Sequence, residues 1–337
     1  MKKVTHLGAF TGNSRDIVNN NFDIIKASML GVYKGGNVYF VDGTSGIGLD
    51  TNAGTSDAPF ATIQGAVNAA GAYDTIFVKP KKISDFTGDP SSYAETIIIP
   101  ATKPHLSLVG LGSGPNQGNQ AQIKKGSGST ALLTIRAAGC TIANLGFNGA
   151  SSTGGGILLD DDYSAKTAFG TVIAGCHFKN CVGSTATDSR TGGAIMWSAT
   201  GNAWQVRIVG NQFYKNVGGI VLMGTSSTVP QDVLIEGNRF LGPAASVDSY
   251  LYLAGGSGMS SLVVHDNVFA SVLPSLSSGS VVRYADLTGC TGIFSHNYFG
   301  GVYTTTGFGA AKAAAKIPTT VGLPHNYTDG GLVVREA

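Results

Sequence analysis

The sequence predicts an all-β fold, a right-handed single-stranded parallel β-helix in which successive turns of the chain stack as rungs. Three observations predict it. Six segments of short apolar alternation end in phenylalanine, at Phe147, Phe178, Phe213, Phe240, Phe269 and Phe299, and subtracting successive numbers gives gaps of 31, 35, 27, 29 and 30 residues. Self-similarity at periods of roughly 20–50 residues marks a solenoid, a propeller or an array. Most units also carry a second short apolar strand: Gly156–Leu159, Gly193–Met196, Gly219–Leu222, Tyr250–Leu253 and Ser280–Arg283. The composition agrees, with 49 glycines in 337 residues, 12% charged and 42% hydrophobic. That profile suits many short strands joined by tight turns, where glycine supplies positive φ, and not a disordered chain.

The repeat has an internal grammar. Five residues before each phenylalanine stands Ile142, Ile173, Ile208, Ile235, Val264 or Phe294. Two residues before it stands Leu145, Cys176, Asn211, Asn238, Asn267 or Asn297. The last four are consecutive asparagines. Stacked in register, Asn211, Asn238, Asn267 and Asn297 form a ladder, since each amide carries both donor and acceptor. A propeller blade needs four strands in about 40 residues, and leucine-rich repeats need a leucine pattern that is missing here. With rungs about 4.8 Å apart, eight to ten of them make a rod roughly 40–50 Å long.

Three regions follow. Residues 1–36 form an N-terminal attachment segment, residues 37–309 the β-helix and residues 310–337 a C-terminal cap or tail. In the first region Ser14 is placed to cap a helix whose apolar stripe is Val18, Phe22, Ile25 and Met29, with Asn19, Asn20, Asp23 and Lys26 on the other side. Gly31 stops it. A helix this short is marginal alone, so the stripe needs a surface, either its own β-helix or a partner protein. Val38–Val41, Thr75–Val78, Thr96–Ile99 and Leu106–Val109 read as strands. A second amphipathic helix from Pro59 to Ala70 is placed to cover the first rung, whose open edge is otherwise an aggregation hazard. Ala310–Lys316 and the tail after Pro318 are placed to cover the last.

Several function classes are disfavoured. A formal net charge of +2 is too small to imply nucleic acid or an anionic membrane as a partner. No apolar run approaches the ~18 residues that span a bilayer, and Met1-Lys2-Lys3 leads into polar residues, not a secretory core. Cys140, Cys176, Cys181 and Cys290 match no metal or redox spacing and read as small buried hydrophobes. No cofactor or metal is expected.

On these residues the sequence resembles the pectate-lyase-like family of right-handed β-helices from about Asn37 to Phe299. The entry segment Tyr39–Asp42, Pro59–Ile63 and Asp74–Val78 and the turns Gly210-Asn-Gln-Phe213 and Gly237-Asn-Arg-Phe240 carry the resemblance. They are specific for fold and say little of function. The stretch Asn13 to Phe22, with its Asn-Asn-Asn-Phe ending, is similar to the opening of tailed-phage virion proteins. That resemblance implies a homotrimer on a bacteriophage virion, either a tailspike that binds or cleaves host polysaccharide or a spike or cement protein on the capsid.

The candidate chemistry is sparse. Asp160-Asp161-Asp162 follows a strand and is the densest acidic run, a candidate for sugar or Ca²⁺ that reads more simply as a solvated turn. Glu236 and His265 hold the same outward position on successive rungs, and Asp266 and His296 the next one, so the four make a Glu/His/Asp/His patch. Were the protein an enzyme, Asp160, Asp162, Glu236, His265 and Asp266 would be its acid–base groups. His177 reads as a surface residue. Trp197, Trp204, Tyr214, Tyr250 and Tyr252 suit either sugar stacking or packing. The expectation is therefore a virion-located structural protein: a homotrimeric capsid decoration rod held to the major capsid protein or another virion protein by residues Val18, Phe22, Ile25 and Met29. A polysaccharide depolymerase and a non-catalytic glycan-binding module are the alternatives.

Overall fold

The computed structural model describes residues 35–81, 92–112, 120–160, 168–185, 188–199, 203–224, 229–241, 249–271, 284–301, 315–328 and 331–332. The N-terminal helix with Val18, Phe22, Ile25 and Met29 lies outside the described residues, as do Asp161 and Asp162. Among the described residues the chain forms three sheets of ten, nine and eight strands. From Ser107–Gly110 on, each turn of the chain contributes one strand to each sheet, and every pairing between turns is parallel. The architecture is the parallel β-helix that the repeat predicts.

The apolar alternation ending in phenylalanine is not one strand but two. Val172–Ala174 belongs to the ten-stranded first sheet and His177–Lys179 to the nine-stranded second. The reason lies in parity. Side chains alternate faces along a strand, so positions five and two before phenylalanine cannot both point inward with it on a straight strand. A left-handed residue three before the phenylalanine resolves this. Asn144, Gly175, Gly210, Gly237, Asp266 and His296 hold φ of 55°, 62°, 64°, 64°, 56° and 54°. The corner so formed lets Ile173, Cys176 and Phe178 all enter the interior, where each is at most 2% exposed.

A prediction follows from that column. Beside a Cβ placed on Gly210 there is nothing within 4 Å, so alanine there meets only the backbone penalty. Gly210→Ala is expected to cost about 1–2 kcal/mol, the ordinary penalty of a left-handed alanine. Gly175→Ala is expected to cost more, because its Cβ would lie 2.6 Å from Asn144 Oδ1. Urea midpoints of the two variants check the order.

The third sheet contains Ile157–Leu159, Ile195–Trp197, Ile220–Leu222, Leu251–Tyr252 and Ala285–Asp286. In the last, Ala285 is the register partner of Leu251, and the expected strand Ser280–Arg283 lies outside the described residues. At the C-terminal end Ala315–Lys316, Val321–Gly322 and Tyr327–Thr328 add one strand to each sheet. The stretch read as a cap thus supplies a further turn before Gly331–Leu332 folds back antiparallel on Tyr327–Thr328.

The helix over the first rung is shorter than expected, Ile63–Ala69, and Pro59 lies outside it. Thr62 is its N-cap, accepting from Gly65 N at 2.9 Å. Glu95 accepts from Ile63 N and Gln64 N, and Asp50 from Ala61 N and Thr62 N. Capping from these three side chains, and not proline, fixes the start. Ile63, Ala66 and Val67 are buried in the same apolar cluster as Val41 and Ile76, so the helix closes the interior at that end.

Two internal columns fill the prism. Phe147, Phe178, Phe213, Phe240, Phe269 and Phe299 stack with ring centroids 5.0, 5.1, 4.5, 4.7 and 5.1 Å apart. The other column is made of asparagines. Asn238 Oδ1 accepts from Asn211 N at 2.9 Å and from Asn211 Nδ2 at 3.0 Å. Asn267 and Asn297 repeat this toward Asn238 and Asn267, and Asn326 continues it toward Asn297. All five asparagines are fully buried. At the other end of the column Cys176 N donates to Asn211 Oδ1 at 2.9 Å.

Candidate functional site

The described residues that combine carboxylates with imidazole lie on the outer side of the first sheet. Leu234–Glu236 pairs with Leu262–His265, which pairs with Gly292–Ser295, and the register sets Glu236 beside His265 and His265 beside Ser295. Strand alternation explains the exposure: Ile235 and Val264 turn inward, so Glu236 and His265 turn outward. Asp266 follows at the left-handed corner.

His265 sits between the two carboxylates. Its Nδ1 is 2.8 Å from Asp266 Oδ2, and its Nε2 is 3.8 Å from Glu236 Oε1. One ligand atom from each of the three residues lies within 4.8 Å of the others. An aspartate on Nδ1 favours the tautomer with its proton there, and the ring then presents Nε2 as a base toward Glu236. At 3.8 Å that second contact is longer than a hydrogen bond. His296 occupies the corner of the next rung, and its ring stacks on His325 at 5.3 Å. Glu236, His265 and Asp266 are therefore brought together, while His296 stands one rung on and contacts His325.

The arrangement suits moving a proton, and its three ligand atoms are also close enough together to converge on a metal ion. Asp266 engages the ring nitrogen that faces away from Glu236, so it orients the imidazole. One oxygen each of the Glu236 and Asp266 carboxylates lies within 4.8 Å of the other.

The remaining candidates are elsewhere. Asp160 follows the third-sheet strand Ile157–Leu159 and is paired with Arg136, Nε to Oδ2 3.0 Å. The three sheets form different sides of the prism, so Asp160 does not join Glu236. His177 is buried, 3% exposed, and is not a surface residue. It stands between Gly146 and Gln212 in the second sheet, a neighbourhood that sequence position alone does not reveal. Trp197 and Tyr250 are also buried, and Trp197 Nε1 donates to Ala203 O at 3.1 Å, so both are packing residues. Trp204 is 39% exposed and packs against Phe169 at 5.5 Å. The four cysteines are free and buried, and burial pushes the Cys176 and Cys181 thiols up to about 12, which leaves them inert.

Two polar positions were missed by reading the sequence around phenylalanines. Asn326 extends the ladder although threonine stands in the phenylalanine position, and the repeated His-Asn-Tyr of 296–298 and 325–327 is the signal for it. Asn216 forms a second amide site, accepting from Cys181 N at 2.9 Å and donating to Phe178 O at 3.0 Å.

No protein-family model matches the chain, and no curated protein is detectably similar to it in sequence. Solved structures do match in fold. A GH136 lacto-N-biosidase from Eubacterium ramulus superposes with a TM-score of 0.52 at 10% identity, covering 94% of this chain and 60% of that one. The chain thus spans about 60% of the length of that enzyme. ORF18 of Geobacillus virus E2 gives a TM-score of 0.44 at 12% identity, over 96% of this chain and 64% of that one. A rhamnogalacturonan lyase gives 0.33 at 10% identity, over 90% of each chain. The likeness to the biosidase is one of fold.

Proposed function

We propose that the protein is a structural rod of a tailed-phage virion, a homotrimeric decoration protein of the spike or cement type, held to the shell through residues 1–36. The observation that carries this reading is the solid interior. A stack of aromatic rings and a ladder of amides run through successive rungs, with Asn211, Asn238, Asn267 and Asn297 each bonded to the rungs on both sides. Such cross-links favour stiffness along the rod axis, which is what a surface projection needs. The virion location rests on the resemblance of Asn13 to Phe22 to phage openings. Of the outer acids only Glu236 and Asp266 come together among the described residues, while Asp160 is paired with Arg136 on another side. Imaging of intact particles with a tag after Ala337 tests the assignment: tags protruding from the capsid surface support it, and untagged particles overturn it.

A second reading has one observation in its favour. The close approach of Glu236 and Asp266 around His265 suits acid–base attack on a glycan. The fold is one that a lacto-N-biosidase also uses. If the purified protein releases reducing ends from host polysaccharide, and Glu236→Gln or Asp266→Asn lowers the rate at least 100-fold, the depolymerase reading replaces the structural one.

A further inference from the structure

Two carboxylates meet at one imidazole on the outer side of the first sheet, and no basic side chain joins them. Among the described residues Glu236 and Asp266 form ion pairs with His265 alone. Other acids of the rod are already matched. Asp42, Asp160 and Asp188 are paired with Lys79, Arg136 and Arg190. Asp50, Asp74 and Glu95 accept from backbone N–H groups. With a neutral ring, Glu236, His265 and Asp266 together carry two negative charges in a small space, a charge that suits a divalent cation.

The fold fixes the three groups in place. Glu236 and His265 are register partners, and Gly237 N donates to His265 O at 3.2 Å. The same carbonyl accepts from Asn267 Nδ2 at 2.9 Å, so the asparagine ladder anchors the strand end that carries the imidazole. Neighbours on a straight strand face opposite sides. Asp266 reaches the ring of His265 because it stands at the left-handed corner, φ 56°. The corner on the rung of Glu236 is Gly237, where an added Cβ would find only Gly210 N, at 3.9 Å, so that corner is open. Asp266 Oδ2, 2.8 Å from Nδ1, occupies one ring nitrogen and leaves Nε2 to face Glu236 Oε1 at 3.8 Å. A carboxylate on the far nitrogen is the arrangement that orients histidine ligands of metal ions and raises their basicity. Two donors 2.0–2.1 Å from a tetrahedral ion stand about 3.4 Å apart, and rotation of the half-buried Glu236 side chain covers the difference.

We infer that the Glu236 carboxylate and His265 Nε2 bind a divalent transition-metal ion of the zinc class, with Asp266 as the positioning residue behind the imidazole. Imidazole suits zinc, nickel and copper, whereas calcium and magnesium take oxygen ligands. The ion joins two successive rungs from outside, beside the place where Asn238 and Asn267 join them from within. The inference depends on neither reading of the protein's function, since it concerns binding alone.

Calorimetric titration of the full chain with zinc chloride, alone and against an excess of calcium chloride, tests it. One Zn²⁺ per chain is expected, with a dissociation constant below about 0.1 mM, and calcium does not compete. His265→Gln is expected to abolish binding, and Glu236→Gln and Asp266→Asn to weaken it by about 10–100-fold, while His296→Gln leaves it unchanged. Ring nitrogen-15 shifts separate positioning from mere support: His265 keeps the Nδ1–H tautomer in the unmodified chain and mixes the two tautomers in Asp266→Asn. Absence of zinc binding, calcium binding as tight as zinc, or a loss in His296→Gln with none in Glu236→Gln would each overturn the site. An Asp266→Asn chain that binds as tightly as the unmodified one, or keeps its tautomer, would overturn the role of Asp266. Should a variant fail to fold, the unmodified chain decides. Zinc is expected to block carbethoxylation of His265 by diethyl pyrocarbonate and to leave His296 and His325 reactive, read by peptide mass spectrometry. Equal labelling of His265 with and without zinc would refute the inference.

Discussion

Asn267→Ala is expected to destabilise the protein by about 3–5 kcal/mol, seen as a fall in the urea midpoint. The magnitude follows from what the amide does. Its Oδ1 accepts from Asn238 N at 2.9 Å and from Asn238 Nδ2 at 3.0 Å. Its Nδ2 donates back to Ile235 O at 3.0 Å and forward to Asn297 Oδ1 at 2.9 Å. Nδ2 also donates to His265 O at 2.9 Å, and alanine removes all five bonds and strands the Asn238 backbone N–H and one Asn238 amide proton in a site that is closed to water. Each buried polar group left unpaired costs about 1–3 kcal/mol, far more than the net worth of an ordinary hydrogen bond. Asn297 Oδ1 is spared, since the backbone N–H of residue 267 still reaches it at 3.0 Å. Asn326→Ala, at the end of the column, should lose less, because Asn326 has one asparagine neighbour instead of two. Equal losses at 267 and 326, or a loss below 1 kcal/mol at 267, would mean that the ladder is not a coupled unit.

The ladder was legible because four asparagines recur at one offset from phenylalanine, and a buried amide at fixed register has few other ways to be satisfied. The Glu236–His265 contact was legible for the same reason: once the rungs are aligned, equal offsets become neighbours. The corner was written in the sequence as well, in the odd spacing of five between Ile173 and Phe178, but its signature is a residue type only where glycine fills it. Asn144, Asp266 and His296 do the same with side chains, so a glycine search loses them. Positions set by the course of the loops were not legible. The strand Ala285–Asp286 lies after a long insertion whose length no periodicity controls. His177 is buried by what lies beside it in the second sheet, and its offset from phenylalanine is shared with the exposed Arg239. Likewise Asp160 has its character decided by Arg136, which comes from the rung before and is invisible to local reading.

Phe240→Ala is expected to cost about 3–5 kcal/mol, the usual range for emptying a buried phenylalanine site. Phe240 is fully buried, with Phe213 at 4.5 Å on one side, Phe269 at 4.7 Å on the other and Tyr250 at 6.1 Å. The ring cannot be replaced by inward movement of its neighbours, because each is fixed by its own rung in the sheet register. Phe240→Leu retains most of the apolar area and should lose roughly half as much, mainly the stacking contribution of about 0.5–1.5 kcal/mol per ring pair. Phe147→Ala should fall between them, since Ile123 and not a ring is its register partner on the earlier rung. A solenoid is held by contacts between adjacent rungs alone, so a hole in the middle also divides it. In Phe240→Ala the rungs before Gln212–Tyr214 and after Val268–Ser271 should therefore unfold with separate midpoints, and the urea transition should broaden. Hydrogen exchange of strands Val172–Ala174 and Gly292–Ser295 measures this directly. If both halves still open together at one free energy, the rod is coupled by more than its nearest neighbours, and the aromatic column is not the element that joins them.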